Sequence, residues 1–214
     1  MNIDKPKIST NLEEINDVNN LISKSITEET DIENKLFSSA FESDIKCPKI
    51  EFKGCKFYNS RFLSCKFEDC SFTDVIFENC DFSNTSFNES NFVRVQFKNC
   101  KLLGDIYTDS KFFNVEFIEC TLNYANFSVA SFKDVVFEKN QMNNSSFQEA
   151  NIKNINFREC DLVQSQFFGT SLNGIDFTSC NIDGFVTSIK DIQGAIVNTY
   201  QAVELAKLLG IIIK

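Results

Sequence analysis

The strongest constraint on this chain is a five-residue period that runs through most of its length. From Phe52 to Ile182, every fifth residue is apolar for 27 consecutive positions without exception. Nineteen of the 24 phenylalanines fall on this register. An α-helix repeats every 3.6 residues and a strand every two, so neither element explains the pattern. A unit this short cannot bury a hydrophobic face alone, and it must stack against copies of itself.

The residue two positions before each apolar centre is mostly small or β-branched, so each unit points one large and one small side chain inward. At these small positions, valine or isoleucine recurs every 20 residues from Val75 to Ile175, and cysteine recurs on a second 20-residue grid from Cys80 to Cys180. Four units therefore make one coil with four sides, and like residues stack between coils. At ~4.8 Å per coil, just under seven coils make a rod on the order of 32 Å tall.

The pattern predicts an all-β fold, a right-handed quadrilateral parallel β-helix, because parallel connections are nearly always right-handed. Burying each phenylalanine side chain is worth ~1.5–3 kcal/mol, so the stacked rings are the expected source of stability. One stack of this expected structural core consists of Phe77, Phe97, Phe117, Phe137, Phe157 and Phe177.

Residues 1–30 are expected to form an N-terminal arm or cap. Thr10 and Glu13 have the spacing of a capping box, and the apolar residues Ile15, Val18 and Ile22 follow. This spacing indicates a short amphipathic helix, with a loosely ordered arm as the alternative.

The β-helix is predicted over residues 31–184, with regular repeats over 50–184. Between 31 and 50 the register is present at Ile32 and Phe37 and then faults at Phe41 and Glu42. We therefore expect an irregular first coil that caps the core, since an open sheet edge would otherwise template aggregation.

Residues 185–214 are predicted to form a C-terminal cap and dimerisation helix. The helix is expected to begin after Asn198 or Thr199 and to end at Gly210, with three isoleucines after it. These isoleucines either fold back onto the last coil or join two rods end to end through a two-fold interface, and we favour the dimer. The expected interface residues are Ala202, Leu205, Leu208, Leu209, Ile211, Ile212 and Ile213.

Eight of the nine cysteines occupy the small inward position, and only Cys47 lies elsewhere. A zinc site needs clustered ligands such as paired cysteines with histidine partners, and the chain has no histidine. We interpret the cysteines as small, burial-tolerant fillers of the core and expect no metal site. In a cytoplasmic protein they would stay reduced.

The formal net charge of −9 argues against direct binding of nucleic acid or of an anionic membrane surface. The first residues lack the apolar segment of a secretory signal, and no apolar run is long enough to span a bilayer. These features favour a cytoplasmic protein.

Catalysis has little support in the sequence. There is no histidine, no glycine-rich phosphate loop and no nucleophile elbow. Carboxylates on the outside of a solenoid also lack the desolvated pocket that tunes a catalytic acid. We therefore expect a protein that is not an enzyme and that uses no cofactor and no small-molecule substrate.

The unbroken register over residues 52–182, followed by TYQAVELAKLLGIII, resembles the pentapeptide-repeat family. More narrowly, the chain is similar to the quinolone-resistance (Qnr) proteins and their mycobacterial relative MfpA. The resemblance implies a rod of DNA-like width that dimerises through its C-terminal helix. It also implies binding to the type II topoisomerases DNA gyrase and topoisomerase IV, in competition with DNA or in protection against fluoroquinolones. The alternative is a pentapeptide-repeat scaffold for a different protein partner, because this fold hosts many roles.

Many Gram-negative members carry loops that interrupt the repeats, and none interrupts residues 52–182 here. The chain in this respect resembles the loop-free members of Gram-positive organisms. Asp105, beside Gly104 at an inward small position, is the one place where we expect a local bulge.

A DNA mimic needs carboxylates on its outside, as DNA has phosphates. The side centred on residues 67, 87, 107, 127, 147 and 167, here called the acidic face, carries six acids with Asp105 included, against Lys66 alone. The next side round, here called the basic face, carries five bases and three acids. We expect the acidic face to bind the partner, although chance asymmetry of a solvated surface would give a similar count. Its expected binding residues are Glu68, Asp69, Glu89, Asp109 and Glu149, the last four in one column.

Overall fold

The computed structural model describes residues 3–212 and is a parallel β-solenoid of about seven turns. Successive coils pair in parallel with an offset of 20 residues, so that Phe72 lies between Phe52 and Phe92. The predicted four-unit coil is thereby confirmed. Two sides form a ten-stranded sheet, and on the other two the coils pair mostly through isolated bridges. The strands are β1 (Glu13–Glu14), β2 (Ile32–Glu33), β3 (Lys35–Ser38), β4 (Phe41–Ser43), β5 (Glu51–Lys53), β6 (Lys56–Tyr58), β7 (Arg61–Leu63), β8 (Ser71–Glu78), β9 (Asn91–Lys98), β10 (Lys111–Ile118), β11 (Ser131–Glu138) and β12 (Asn151–Arg158).

The apolar centres point inward and form what we call the ring column. Rings of successive coils stack face to face: the Phe117 ring lies 4.7 Å from both Phe97 and Phe137, at interplanar angles of 2° and 3°. Rings on neighbouring sides meet edge-on, as between Phe57 and Phe62, whose planes differ by 75°. Both arrangements suit the quadrupole of an aromatic ring. All six predicted core phenylalanines are fully buried.

The small inward positions do more than fill space. Thr85 Oγ1 donates to the carbonyl of Phe62 at 2.9 Å, and Asn140 Nδ2 donates to the carbonyl of Phe117 at 2.8 Å. Cys100 Sγ makes the corresponding contact with the Phe77 carbonyl at 3.4 Å. We call this set of side chains, each bonded to a carbonyl 23 residues earlier, the donor ladder.

The donor ladder explains the alternation of valine and cysteine. From β8 to β12 the strand runs unbroken through the corner that carries Val75, so no side-chain donor is needed there. At the other three corners the strand is interrupted, and many of the small positions carry a Cys, Ser, Thr or Asn that supplies a donor, whereas Ala125, Ala130 and Ala150 supply none. Our interpretation of the cysteines as fillers was therefore incomplete, because they also donate. All nine are free and buried, and Cys47, the exception in the sequence, accepts at its carbonyl from Cys70 Sγ at 2.9 Å.

The residue two positions after each centre turns the corner with a left-handed backbone. Positive φ angles between 49° and 81° recur there at nearly every unit from Asn34 to Gly194. Glycine, asparagine and aspartate tolerate this conformation best, and they are frequent at these positions. Because the same backbone conformation recurs on each coil, the outward side chains of successive corners point the same way.

The bulge expected at Gly104 and Asp105 is absent. Gly104 adopts the ordinary left-handed corner, and Ile106, which follows Asp105, keeps its bridges to the coils on either side. The irregularity lies instead where β12 meets β11, with shifts in register around Lys133, whose pairing partner is Asn154. Asn154 is also a corner residue without a positive φ. The expectation failed because Asp105 fits the inward position by accepting from the backbone N–H of Thr85, as Asn140 accepts from that of Cys120.

The N-terminal end is closed by helix α1 (Val18–Glu28), whose Val18 and Ile22 are buried against the core. The helix begins later than the capping box predicted. Its N-cap is Asp17, which accepts from the backbone N–H of Asn20 at 2.9 Å. The prediction from Thr10 was wrong because Glu13 forms strand β1 and pairs with β3.

The first coil is regular in its backbone, which corrects the expected fault. Phe41 pairs with Arg61 and Glu42 with Phe62, so Glu42 occupies an apolar centre without breaking the register. The end of the rod makes this substitution possible, since Asn19 of α1 donates to the Glu42 carboxylate at 2.6 Å. Partial burial raises the pKa of Glu42, and the Asn19 hydrogen bond opposes the shift.

Ahead of β1, residues 3–8 form an extended strap on the outside of the sheet. The backbone N–H of Lys7 donates to Asp74 Oδ1 at 3.0 Å, and that of Asp4 donates to Asn114 Oδ1 at 3.3 Å. Three extended residues span about 10 Å, which matches two coil spacings. Lys5 Nζ pairs with Glu116 at 2.5 Å. The strap therefore crosses three successive coils along the rod.

The C-terminal helix α2 (Thr199–Ala206) is confirmed, with Asn198 as N-cap and a capping box completed by Gln201. A short 3₁₀ turn (Lys207–Leu209) extends it to Gly210, whose φ is 72°. Gln201 is buried, and its Nε2 donates to the carbonyls of Phe177 and Cys180 at 2.7 Å each. These bonds fix α2 on the last coil. Within residues 3–212, no helix is long and apolar enough to cross a membrane.

Candidate functional site

Three predicted residues of the acidic face stand in line on consecutive coils. Asp69, Glu89 and Asp109 are exposed corner residues, each with φ of 57°, so their side chains leave the rod in the same direction. The rings beneath them are 5.5 Å apart between Phe67 and Phe87, and the next pair is 5.2 Å apart. The column therefore carries one carboxylate per coil.

The column is interrupted further up. Val129 occupies the next corner, and Glu149 follows one coil later in the same conformation. Val129 and Phe168, which lie two coils apart on this face, are about half exposed, at 48% and 58%. The upper part of the acidic face is thus partly apolar. The number of charged residues does not reveal this apolar part of the face. Phe168 lies off the five-residue register, and that position could have identified it as an outward phenylalanine.

Two of the predicted acids have basic partners. Asp69 lies 3.9 Å from Lys49, and Glu68 lies 3.8 Å from Lys66 and accepts from Ser86 Oγ at 3.1 Å. Among residues 3–212, Glu89, Asp109 and Glu149 have no ion pair. The free charge of the face is concentrated on these three carboxylates.

Asp105 does not belong to the acidic face, and the charge count that included it was wrong. The residue is fully buried, and its Oδ1 accepts from the backbone N–H of Thr85 at 3.1 Å. Tyr107, also buried, donates its hydroxyl to the other carboxyl oxygen at 3.3 Å. Burial raises the pKa of Asp105 well above its usual value, and the two hydrogen bonds offset only part of the shift. Because the Asp105 side chain is buried, the outward excess of acids is one smaller.

The C-terminal end presents a second apolar surface. Of the predicted interface residues, Ala202, Leu209, Ile211 and Ile212 are exposed, and Ile212 is 84% accessible. Leu205 and Leu208 are half-buried, and Leu205 packs against the core of the last coil. Ile213 lies outside the described residues.

Other residues extend this surface, and the sequence pattern did not single them out. Ile189 and Ile196 are half exposed, and Tyr200 is 88% accessible. Together with α2, Ile189 lines a groove of about 410 Å³. These three residues come after the regular repeats, so the five-residue register does not predict whether their side chains point inward or outward.

The described residues offer surfaces for binding. Within residues 3–212, no group of three or more Asp, Glu, His or Cys side chains is placed to hold a metal ion.

The sequence profile described as "Pentapeptide repeat region" matches residues 35–110, 90–167 and 110–186. These matches jointly cover well over half of the chain. The chain belongs to the pentapeptide-repeat family. No curated protein matches its sequence.

Solved structures of other pentapeptide-repeat proteins share its fold. One trypsin-treated variant of QnrB1, a plasmid-mediated fluoroquinolone resistance protein, is 19% identical with a TM-score of 0.53, over 84% of this chain and 99% of that one. A second is 20% identical with a TM-score of 0.52, over 86% and 100%. HetL, involved in heterocyst differentiation regulation in the cyanobacterium Nostoc sp., is 10% identical with a TM-score of 0.56, over 82% and 92%. At these identities the likeness concerns the fold alone.

Proposed function

We propose that this pentapeptide-repeat protein is a DNA mimic that binds type II topoisomerases through its acidic face. It would compete with DNA, protect the enzyme from fluoroquinolones, or do both. The observation that carries the proposal is the column of Asp69, Glu89 and Asp109 on consecutive coils. The fold shared with QnrB1 supports it as a likeness.

The spacing of the column supports recognition by a surface built for DNA. One strand of DNA carries a phosphate every ~3.4 Å, and the acidic column carries a carboxylate about every 5 Å. Like charges this close repel each other, and they add nothing to the stability of the rod. Both Glu89 and Asp109 stand free of ion pairs among the described residues, so their charge is available to a partner.

The test is a gyrase supercoiling assay and a topoisomerase IV decatenation assay, each with and without a fluoroquinolone. The wild-type protein is expected to inhibit either enzyme or to restore its activity in the presence of the drug. The double variant Glu89→Lys with Asp109→Lys is expected to lose this effect and to lose binding to the enzyme.

A matched control reverses the same charge on another side. Glu119 and Glu159 are exposed corner residues with the same left-handed backbone, so Glu119→Lys with Glu159→Lys changes the net charge equally. This control is expected to behave as wild type. Equal loss in both variants would indicate a general charge effect and refute the acidic face as the binding surface.

The alternative is a scaffold for a different protein partner. The exposed Val129 and Phe168 favour it, because outward apolar side chains beside a charged column can pack against a protein partner. Wild-type protein that leaves both topoisomerases unaffected, with and without drug, would favour this alternative.

We further propose that two rods associate through α2 and the exposed isoleucines after it. Leu209, Ile211 and Ile212 form an apolar surface at one end of an otherwise polar rod, which suits an isologous interface. In sedimentation equilibrium, wild type is expected to be a dimer, and Leu209→Glu with Ile212→Glu a monomer. The control Val186→Glu adds the same kind of charge at a half-exposed position before α2 and should remain dimeric.

A further inference from the structure

A groove on the basic face lies outside everything proposed above. It has a volume of about 240 Å³, and its apolar lining consists of Phe92, Val93, Phe112, Phe113 and Phe132, of which Phe92, Phe112 and Phe132 are fully buried. No carboxylate lines it. Six polar side chains surround it, three of them basic: Lys111, Lys133, Lys153, Asn91, Ser131 and Asn151.

These six side chains make no polar contact with the rest of the protein. Within residues 3–212, none of them forms an ion pair or a side-chain hydrogen bond. Several other bases are paired: Lys101 lies 3.6 Å from Asp81, and Arg158 lies 3.5 Å from Glu138. In a chain with 30 acids and 21 bases, three lysines facing one groove without a single carboxylate leave a local excess of positive charge.

The local backbone and packing hold the lysines at the groove. Lys133 Nζ lies over the ring of Phe113, 4.4 Å from its centroid, in a cation–π contact. Lys133 and Lys153 follow Phe132 and Ile152, two apolar centres that pair on neighbouring coils. The irregularity of β12 falls at this place. Bulges of this kind redirect side chains and are frequent beside binding sites.

We propose that the groove binds a small oligophosphate anion, of the class of pyrophosphate and tripolyphosphate. Lysine is a compact point charge suited to phosphate, whereas arginine would be expected for bidentate carboxylates. The asparagine amides and the serine hydroxyl supply further donors to phosphate oxygens. Pockets for drug-sized ligands measure ~300–1,000 Å³, so this smaller groove fits two or three phosphoryl groups better than a whole nucleotide.

An anion in the groove would be attracted by the positive charge of the three lysines that line it. The strap covers a neighbouring corner through Asn114, and none of its residues lines the groove. The site is therefore open in the same structure that holds the strap in place.

Isothermal titration calorimetry of the full chain with tripolyphosphate tests the proposal. Wild type is expected to bind one anion per chain in a saturable manner. Lys133→Gln with Lys153→Gln is expected to weaken binding by at least about tenfold. The control is Lys139→Gln, at an exposed lysine outside the groove, and it is expected to bind within about twofold of wild type.

Three results would overturn the proposal. The first is the absence of saturable binding to wild type at millimolar anion. The second is equal weakening by Lys139→Gln and by either groove substitution alone, which would indicate only the overall charge. The third is equally tight binding of citrate, which carries comparable charge on carboxylates. Circular dichroism and urea unfolding of each variant show that a loss of binding reflects the groove rather than a failure to fold.

Discussion

The ring column and the donor ladder run side by side inside the rod, and they stabilise it in different ways. The ring column accepts Phe, Tyr, Leu, Met or Ile, because stacking requires an apolar side chain of sufficient volume. The donor ladder depends on chemistry as well as size, since at many interrupted corners a polar hydrogen reaches a buried carbonyl. The ring column therefore supplies most of the stabilising free energy, whereas the donor ladder helps to set the shape of each coil.

The largest expected effect lies in the ring column. Phe117→Ala leaves a cavity between two stacked rings and should cost ~3–5 kcal/mol in the free energy of unfolding, measured with urea. The control Phe168→Ala makes the same change at an outward, exposed residue and should stay within ~0.5 kcal/mol. Similar losses at both positions would show that the rings do not dominate stability.

The donor ladder should give the next largest effect. Asn140→Val leaves the carbonyl of Phe117 and the N–H of Cys120 without partners, at a cost of ~1–3 kcal/mol for each buried group. Asn140→Ser is the matched variant, because Ser110 both donates and accepts at its own ladder position. Urea unfolding should find the serine variant closer to wild type. A valine variant as stable as the serine variant would mean that the ladder only fills space.

The pH dependence of the free energy of unfolding provides a third test, at the buried Asp105. Folding raises the pKa of Asp105, so between pH 3.8 and that raised pKa the folded chain keeps a proton that the unfolded chain has lost. Its contribution to stability is complete below pH 3.8 and declines as pH rises, by at most ~1.4 kcal/mol per unit. Asp105→Asn should remove this slope in urea unfolding between pH 4.5 and 8, whereas Asp109→Asn, an exposed corner, should keep it. A wild-type slope in Asp105→Asn would contradict a buried neutral carboxyl.

The sequence contained nearly all the information on the ring column. A strict five-residue register identifies inward centres whatever the surrounding polar residues are, and the second period of 20 residues counts the sides. The donor ladder was visible only as small residues. Cysteine and valine differ little in size, so only the structure shows that Cys100 donates where Val95 does not need to.

The ends and outer walls were harder to predict. The strap depends on contacts between residues about 70 to 110 positions apart, such as that of Lys7 with Asp74, and no local pattern reports them. Asp105 was assigned to the acidic face because its type suggested an outward charge, although its place in the register was inward. The groove of three lysines was seen only as a net charge, since convergence of side chains needs coordinates.

The strap also implies an order of folding events during synthesis of the chain. Residues 3–8 are synthesised before residues 74 to 116, which supply the side chains that hold them. During synthesis the strap therefore has nothing to attach to until these middle coils have emerged and wound. Attachment of the strap then follows the folding of the coils that it crosses.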